Sequence, residues 1–532
     1  MKKIILKTII YTIFMMVVSC SEDFLETKPL TTLTEADFYK TIKDARLALV
    51  GCYDGLQRLD EVWNAFPVTS EILSDLCFGG TGAGDGYGAQ IIDEFDINRS
   101  PGEVNIFNDL WRSYYFGIFR INNLLKNIDN IDWKDSISLK IKIIAEARFL
   151  RAYMYFDLVR LFERIPLLTE PSSAIVPQSD PDKIYKLIAD DLLFTAQYGD
   201  SVVLPGRANR WAAKAFLARV FLFYTGYYNK QDLVGKVTKT EVLGGLEEII
   251  SSGKYGLIEE YKNLWPAAST KIDNSGKKLV STYAGKDNKE TIFAIKHNIT
   301  SDYEGNVDGN HWLVMLGLRQ QKNNFSPYGK GWGAATVLPS FYNSFESGDK
   351  RRDASIIAIN EEGLNFDITD QREYTGYTIK KYTPIAMPDG KDLAEYNGAV
   401  NFMIGQYQDY VAMRYADVLL MAAELGSSNA QEYFDMVRRR AGLQSKPVTK
   451  ENIMNERKFE FAFEGIRYWD LLRQGLDVAA SAVDVTIEVK SGGTSEIKRI
   501  KGENLRKTRG FQQIPKDQIT ASNFVIQQNQ GW

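Results

Sequence analysis

Apolar positions recur at spacings of three and four through most of the first 230 residues, which is the helical period. Ala45, Leu49 and Cys52 mark one such stretch, and Phe107 to Leu125, Ile141 to Phe162, Ile184 to Phe194 and Ala208 to Tyr228 mark four more. The pattern predicts helices joined by short turns. In two of them small and aromatic residues alternate, from Ala147 to Phe156 and from Ala212 to Phe221. An alanine facing an aromatic ring lets a pair of helices interlock, as in tetratricopeptide-type stacks. The spacing here is irregular, so the repeat is degenerate.

After about residue 230 the period fades. Gly244-Gly245, the region from Ala267 to Asn288 and the long stretch from Ser301 to Val400 are rich in Gly, Asn, Asp and Pro. They read as loops with a few short strands, such as Thr291 to Ile295 and Tyr374 to Tyr382. Helical spacing returns at Met413 to Leu425, Ala430 to Ala441 and Glu451 to Arg473, and an extended tail runs on to Trp532. The expected fold is mainly α: a degenerate tetratricopeptide-like stack of helix pairs carrying a long, loop-rich irregular insertion. Such a body is a rigid support that presents loops.

The N-terminus has a different grammar. Lys2, Lys3 and Lys7 precede an apolar run from Ile9 to Val18 that is too short to cross a bilayer as a helix, and Val17-Val18-Ser19-Cys20 follows. This looks like a bacterial lipobox, in which cleavage before Cys20 frees the thiol for a diacylglyceryl group; two or three acyl chains would anchor the protein stably. Ser21-Glu22-Asp23 resembles the short acidic signal that sends some lipoproteins to the outer surface. The expected divisions are a signal peptide at 1–19, a lipidated tether at 20–34, an N-terminal helical region at 35–230, a loop-rich ligand-presenting region at 231–412, and C-terminal helices and tail at 413–532.

The 532 residues carry a net charge of −4, two histidines and three cysteines. There is no broad basic field for nucleic acid, and no stock of ligands for a three-histidine zinc site or a zinc ribbon. Cys52 lies among Leu47, Val50 and Leu56 on a helical pattern and reads as a core thiol, although Cys52 and Cys77 could also be bonded. Glu456, Glu460, Glu464 and Arg467 form one helical stripe, interleaved with Arg457, Lys458 and Arg473; this predicts a structural ion-pair network rather than paired catalytic acids. The segment Gly79 to Gly88 lacks the lysine of a phosphate loop and reads as a mobile surface loop. Asp302 to Asn310 alternates oxygen side chains as calcium loops do, but without their turn glycine and closing glutamate. The informative excess is aromatic. Tyr303, Trp312, Phe325, Tyr328, Trp332, Phe341, Tyr342 and Phe345 crowd one stretch, and Trp63, Phe66, Phe78 and Tyr87 follow the first helix. Sugar rings stack on such side chains, while Asn64, Asp85, Asn310, Arg319, Gln320, Gln321 and Asn324 could bind their hydroxyls.

The run from Glu456 to Gly475, with the blocks Arg148 to Pro166, Asn288 to Ile295, Met413 to Glu424 and the tail from Ile514-Pro515 to Asn529, resembles the SusD/RagB family of nutrient-binding outer-membrane lipoproteins. Phe162-Glu163-Arg164 stands where the family often has a glycine turn. The resemblance implies a lipoprotein without catalytic activity or cofactor, lying over a TonB-dependent transporter of the SusC type and capturing an oligosaccharide, or in some members a peptide. It also implies a ligand platform built from the two aromatic loop regions. The candidate ligand residues are Trp63, Asn64, Tyr87, Trp312, Arg319, Tyr328 and Trp332, and Cys20 is the candidate lipidation site. A surface glycoside hydrolase and a ligand-free helical scaffold are the competing classes.

Overall fold

A computed structural model describes residues 38–319 and 323–532. Cys20, the acidic signal, the tether, Gln320 and Gln321 lie outside the described residues.

The first helix, α1 (Ile42–Gln57), starts at a capping box in which Thr41 and Asp44 satisfy each other's backbone N–H groups. Its buried stripe is Ala45, Leu49, Cys52 and Leu56, whereas Leu47 and Val50 face solvent. After the short helix α2 (Phe66–Ile72) come α3 (Asn108–Asn127), α4 (Ile137–Phe162), α5 (Pro181–Tyr198), α6 (Arg210–Tyr227) and α7 (Lys239–Ser251). Each of the helices from α3 to α7 packs on the next, and α1 lies against α3 and α4. The small residues of α4 and α6 are buried as the pattern predicts, but it is aromatic against aromatic that joins them: Phe149, Tyr153 and Phe156 surround Phe216 with ring centroids 5.1–5.8 Å away. Arg151 links α4 to α5 through two bonds to Asp191 of 2.8 and 2.9 Å. Glu163 ends α4 with φ +57 and its carboxylate holds Arg509. A backbone in that left-handed region is what a glycine turn would supply without strain.

The insertion is more ordered than its composition suggests. Strands Cys77–Gly79, Ala335–Val337, Tyr377–Ile379 and Ile356–Ala358 form a four-stranded antiparallel sheet in that order. Thr291–Ile295 is a strand as expected, and it pairs with Tyr410–Arg414, so the apolar run at 413 enters helix Tyr415–Glu424 from a strand. The predicted helix from Glu451 to Arg473 is broken: Lys450–Glu460 and Arg467–Leu472 are separate, with Phe463 and Gly465 at positive φ between them. The tail also departs from an extended chain, forming a hairpin (Val485–Ser491 with Thr494–Ile500) and two short helices, Gly502–Thr508 and Lys516–Ala521. Cys52 and Cys77 are free, buried thiols.

A buried ion-pair network ties insertion to C-terminal helices, with partners other than those the stripe suggested. Arg414 reaches Glu290 (2.6 Å), Glu460 (3.0 Å) and Glu464 (2.8 Å). Arg440 joins Glu290 and Glu460, while Arg351 and Arg438 share Glu456. The local cations look elsewhere: Arg457 bonds Asp417 and Asp470, Arg467 bonds Asp75, and Arg473 bonds Glu424. The surrounding arginines hold Glu460 down at about 2 against the opposing effect of its burial.

Candidate functional site

The segment that leaves α1 turns through Arg58, Glu61, Val62 and Trp63 beside one face of α3. Asp109, Arg112, Ser113 and Phe116 fall at i, i+3, i+4 and i+7 along that helix, so they share a face. These residues and His311 line an open cleft of about 610 Å³. Trp63 is half-buried, with its six-membered ring backed by Gly88, where a Cβ would approach to 3.0 Å. Behind it, Asp60 is buried with a carboxylate oxygen 2.9 Å from His297 Nε2, which fixes the turn against the insertion.

His311 opens the short helix His311–Leu316, which Asn310 caps by accepting from the Leu313 N–H. Its Nδ1 donates to the Met403 carbonyl at 2.9 Å, and burial lowers its pKa, so the ring is neutral and Nε2 is left as an acceptor. Trp332 packs edge-on against this imidazole with centroids 5.3 Å apart. Across the cleft, Phe116 is 43% exposed beneath the guanidinium groups of Arg58 and Arg120, at 5.3 and 4.5 Å. The cleft therefore combines aromatic faces with donors (Arg58, Arg112, Ser113) and acceptors (Glu61, Asp109, His311). That mixture suits a ligand with apolar ring faces and a rim of hydroxyls.

The other candidates are distributed. Trp312 is fully buried against Tyr382 and Tyr410. Asn64 is buried, donating to the Ile106 carbonyl, and Tyr328 is buried with its hydroxyl on Glu362. These three side chains support the loops from within and do not face the cleft, and the same holds for Phe66, Phe78 and Asn310. Arg319 is a clamp, binding Asp370 and Asp85 and lying where a Cβ on Gly82 would sit. The glycine-rich segment is accordingly not free along its length: only its tip from Gly84 to Tyr87 is exposed. Tyr87 is 58% exposed but turns to the far side of that loop, with the Arg372 guanidinium 3.9 Å over its ring. In the Asp302 loop the carboxylate accepts from the N–H groups of Glu304 and Asn306, closing a turn. The α3 face and His311 escaped the sequence reading, although polar Asp109, Arg112 and Ser113 at i, i+3 and i+4, with Phe116 at i+7, were there to see. A larger cleft of about 680 Å³, reached through Leu313 of the same helix, is lined by Leu279, Ile385, Met387, Tyr396 and Tyr407 and by none of the candidates.

Two family models match the chain: one described as "SusD family" over residues 365–532, and one described as "Starch-binding associating with outer membrane" over residues 23–222. Together they take in more than two thirds of the sequence. The chain is 26% identical over 491 residues to SusD-like protein P2 of Formosa agariphila, covering 86% of this chain and 88% of that one. A laminarin binding SusD-like protein superposes with TM-score 0.71 at 27% identity, covering 93% of this chain and all of that one. Surface glycan-binding protein A from Bacteroides thetaiotaomicron, solved with laminarihexaose, has the same fold at TM-score 0.74 and 21% identity, over 93% of this chain and all of that one. The chain belongs to the SusD/RagB family.

Proposed function

We propose that this protein captures a glycan at the cell surface and delivers it to a TonB-dependent outer-membrane transporter of the SusC type, without cleaving it. The observation that carries the reading is the Trp63 cleft, where aromatic faces stand beside donors and acceptors of both charges. The relatives named for glycan and laminarin binding support the ligand class, and the outer-membrane description of the matching family model supports the location. In this reading Cys20 carries the lipid, residues 20–34 tether the body to the membrane, and a shared membrane keeps the transporter at high effective concentration.

Calorimetry of the unlipidated protein against laminarihexaose, maltohexaose, xylohexaose, their parent polysaccharides and a peptide pool tests the ligand. Saturable binding of a glycan without product release is the expected result; binding of peptides alone, or release of shorter sugars, overturns it. Mass spectrometry of the mature protein should find an acylated Cys20, and gentle detergent extraction should recover a transporter with it.

A further inference from the structure

A second cleft, of about 620 Å³, opens on the opposite face of the glycine-rich loop, between Tyr87 and the terminal hairpin. Its walls are fixed. Lys498 of the hairpin is buried and its ammonium lies 2.8 Å from Asp93, 3.3 Å from Glu94 and 3.1 Å from Glu373, while Tyr374 and Lys490 exchange backbone hydrogen bonds. Three residues of the lining each keep a buried polar atom without a hydrogen-bond partner: Gln90 Oε1, Arg372 Nη1 and Glu373 Oε2. Gln90 and Glu373 are 2% and 5% exposed, and Glu373 is held with φ +51, a conformation that a residue with a side chain adopts only under constraint from its surroundings.

A buried polar group without a protein partner is completed by a water molecule or by a polar atom of a ligand that displaces it. The three line one cleft: Arg372 Nη1 is a donor, Gln90 Oε1 an acceptor, and the Glu373 carboxyl, which burial pushes up to about 8 against the pull of Lys498, offers either, so neither an anion nor a cation would serve all three. Among the described residues no group of three or more His, Cys, Asp or Glu is placed to hold a metal ion. A hydroxyl both donates and accepts. From this we infer that the cleft between the glycine-rich loop and the terminal hairpin is a second subsite for a polyhydroxylated ligand, with Tyr87, Gln90, Arg372, Glu373 and Glu496 forming its wall. The inference rests on the glycan reading and extends it: Gly88 backs Trp63 in the first cleft while its neighbour Tyr87 stands in the second, so one sugar chain laid across the loop tip would engage both.

The test compares wild type, Trp63→Ala, Tyr87→Ala and Glu496→Ala by calorimetry with laminarihexaose, maltohexaose, xylohexaose and their parent polysaccharides. Tyr87 and Glu496 are exposed, so these variants should fold. The expected result is at least fivefold weaker binding in Tyr87→Ala, measurable binding in Trp63→Ala, and slowed hydrogen exchange across residues 485–500 when the bound probe is added. If wild type binds a probe but the Tyr87 and Glu496 variants stay within twofold of it and hairpin exchange is unchanged, the cleft holds only water and the inference falls while the glycan reading stands. If Tyr87→Ala loses binding and Trp63→Ala does not, the inference stands and the Trp63 assignment falls. If wild type binds none of the probes, both are overturned.

Discussion

Gly88 lies against the indole of Trp63 so closely that a Cβ at that position would be 3.0 Å from the ring. The glycine sets how far the indole stands out into its cleft. A branched side chain would push the half-exposed ring away rather than fracture the core, because the ring's other side has room. Gly88→Val should therefore lower glycan affinity severalfold while moving the thermal midpoint by no more than a degree or two. Calorimetry and a melting curve on the same sample check this, and unchanged affinity would show that Trp63 needs no backing.

Trp63 and Trp312 should separate cleanly on truncation. Removing an aromatic anchor costs about 2 kcal/mol of binding, near thirtyfold, with little change in stability. Removing a fully buried indole costs ~3–5 kcal/mol of stability. Trp63→Ala is expected to follow the first pattern and Trp312→Ala the second. Trp312→Ala binding weakly at an unchanged midpoint would return Trp312 to the ligand surface.

The helical half of this molecule was legible because burial along α1, α3 and α5 repeats at the helical period, because α4 and α6 are apolar runs long enough to be buried helices, and because neighbours in sequence are neighbours in space. The insertion was legible only as composition. Its sheet joins Cys77–Gly79 to strands more than 250 residues away, and no local pattern encodes such a pairing. Aromatic density singled out Trp63, which lines the cleft, but it could not tell Trp332, which packs on His311 at that cleft, from Trp312, which points inward one position beyond His311 along the same helix. The ion-pair stripe was read correctly as structure, while its partners Arg351, Arg414 and Arg440 come from distant segments that only the fold brings together.

Arg414 serves three buried carboxylates at once. Deleting its charge leaves Glu290, Glu460 and Glu464 undercompensated in a low-dielectric interior, and breaking a buried pair in this way costs ~3–5 kcal/mol. Arg414→Met should accordingly be strongly destabilised, and Arg414→Lys should recover little, since an ammonium lacks the planar fork that spans several acceptors. Arg439→Met is the control: Arg439 and its partner Glu432 are 67% and 60% exposed, and the midpoint should stay within a degree. Equal losses in the two arginine sites would argue against a network.

The stability of the protein should fall as pH rises from about 5 to 8. Glu71 is fully buried on α2, where its carboxyl accepts from the N–H groups of Phe463 and Gly465 at 3.2 and 2.6 Å. Burial pushes its pKa up to about 8; the two N–H groups and Lys381 pull it down, and Glu464 adds to the rise. In the unfolded chain the same group titrates near 4.5. Between these values the native state holds a proton that the unfolded state has released, so this contribution is complete below pH 4.5 and lost as pH rises through 8. Each such proton is worth up to ~1.4 kcal/mol per pH unit. Asp157 and Asp392, raised by burial to about 6, act with the same sign over the lower part of the window. Glu460, held near 2, acts the other way and only below pH 4.5. Melting curves from pH 5 to 8 should show a midpoint declining by about a degree or two per unit, and Glu71→Gln should flatten the slope even if it lowers the midpoint throughout. A variant that keeps the wild-type slope would assign the pH dependence to other groups.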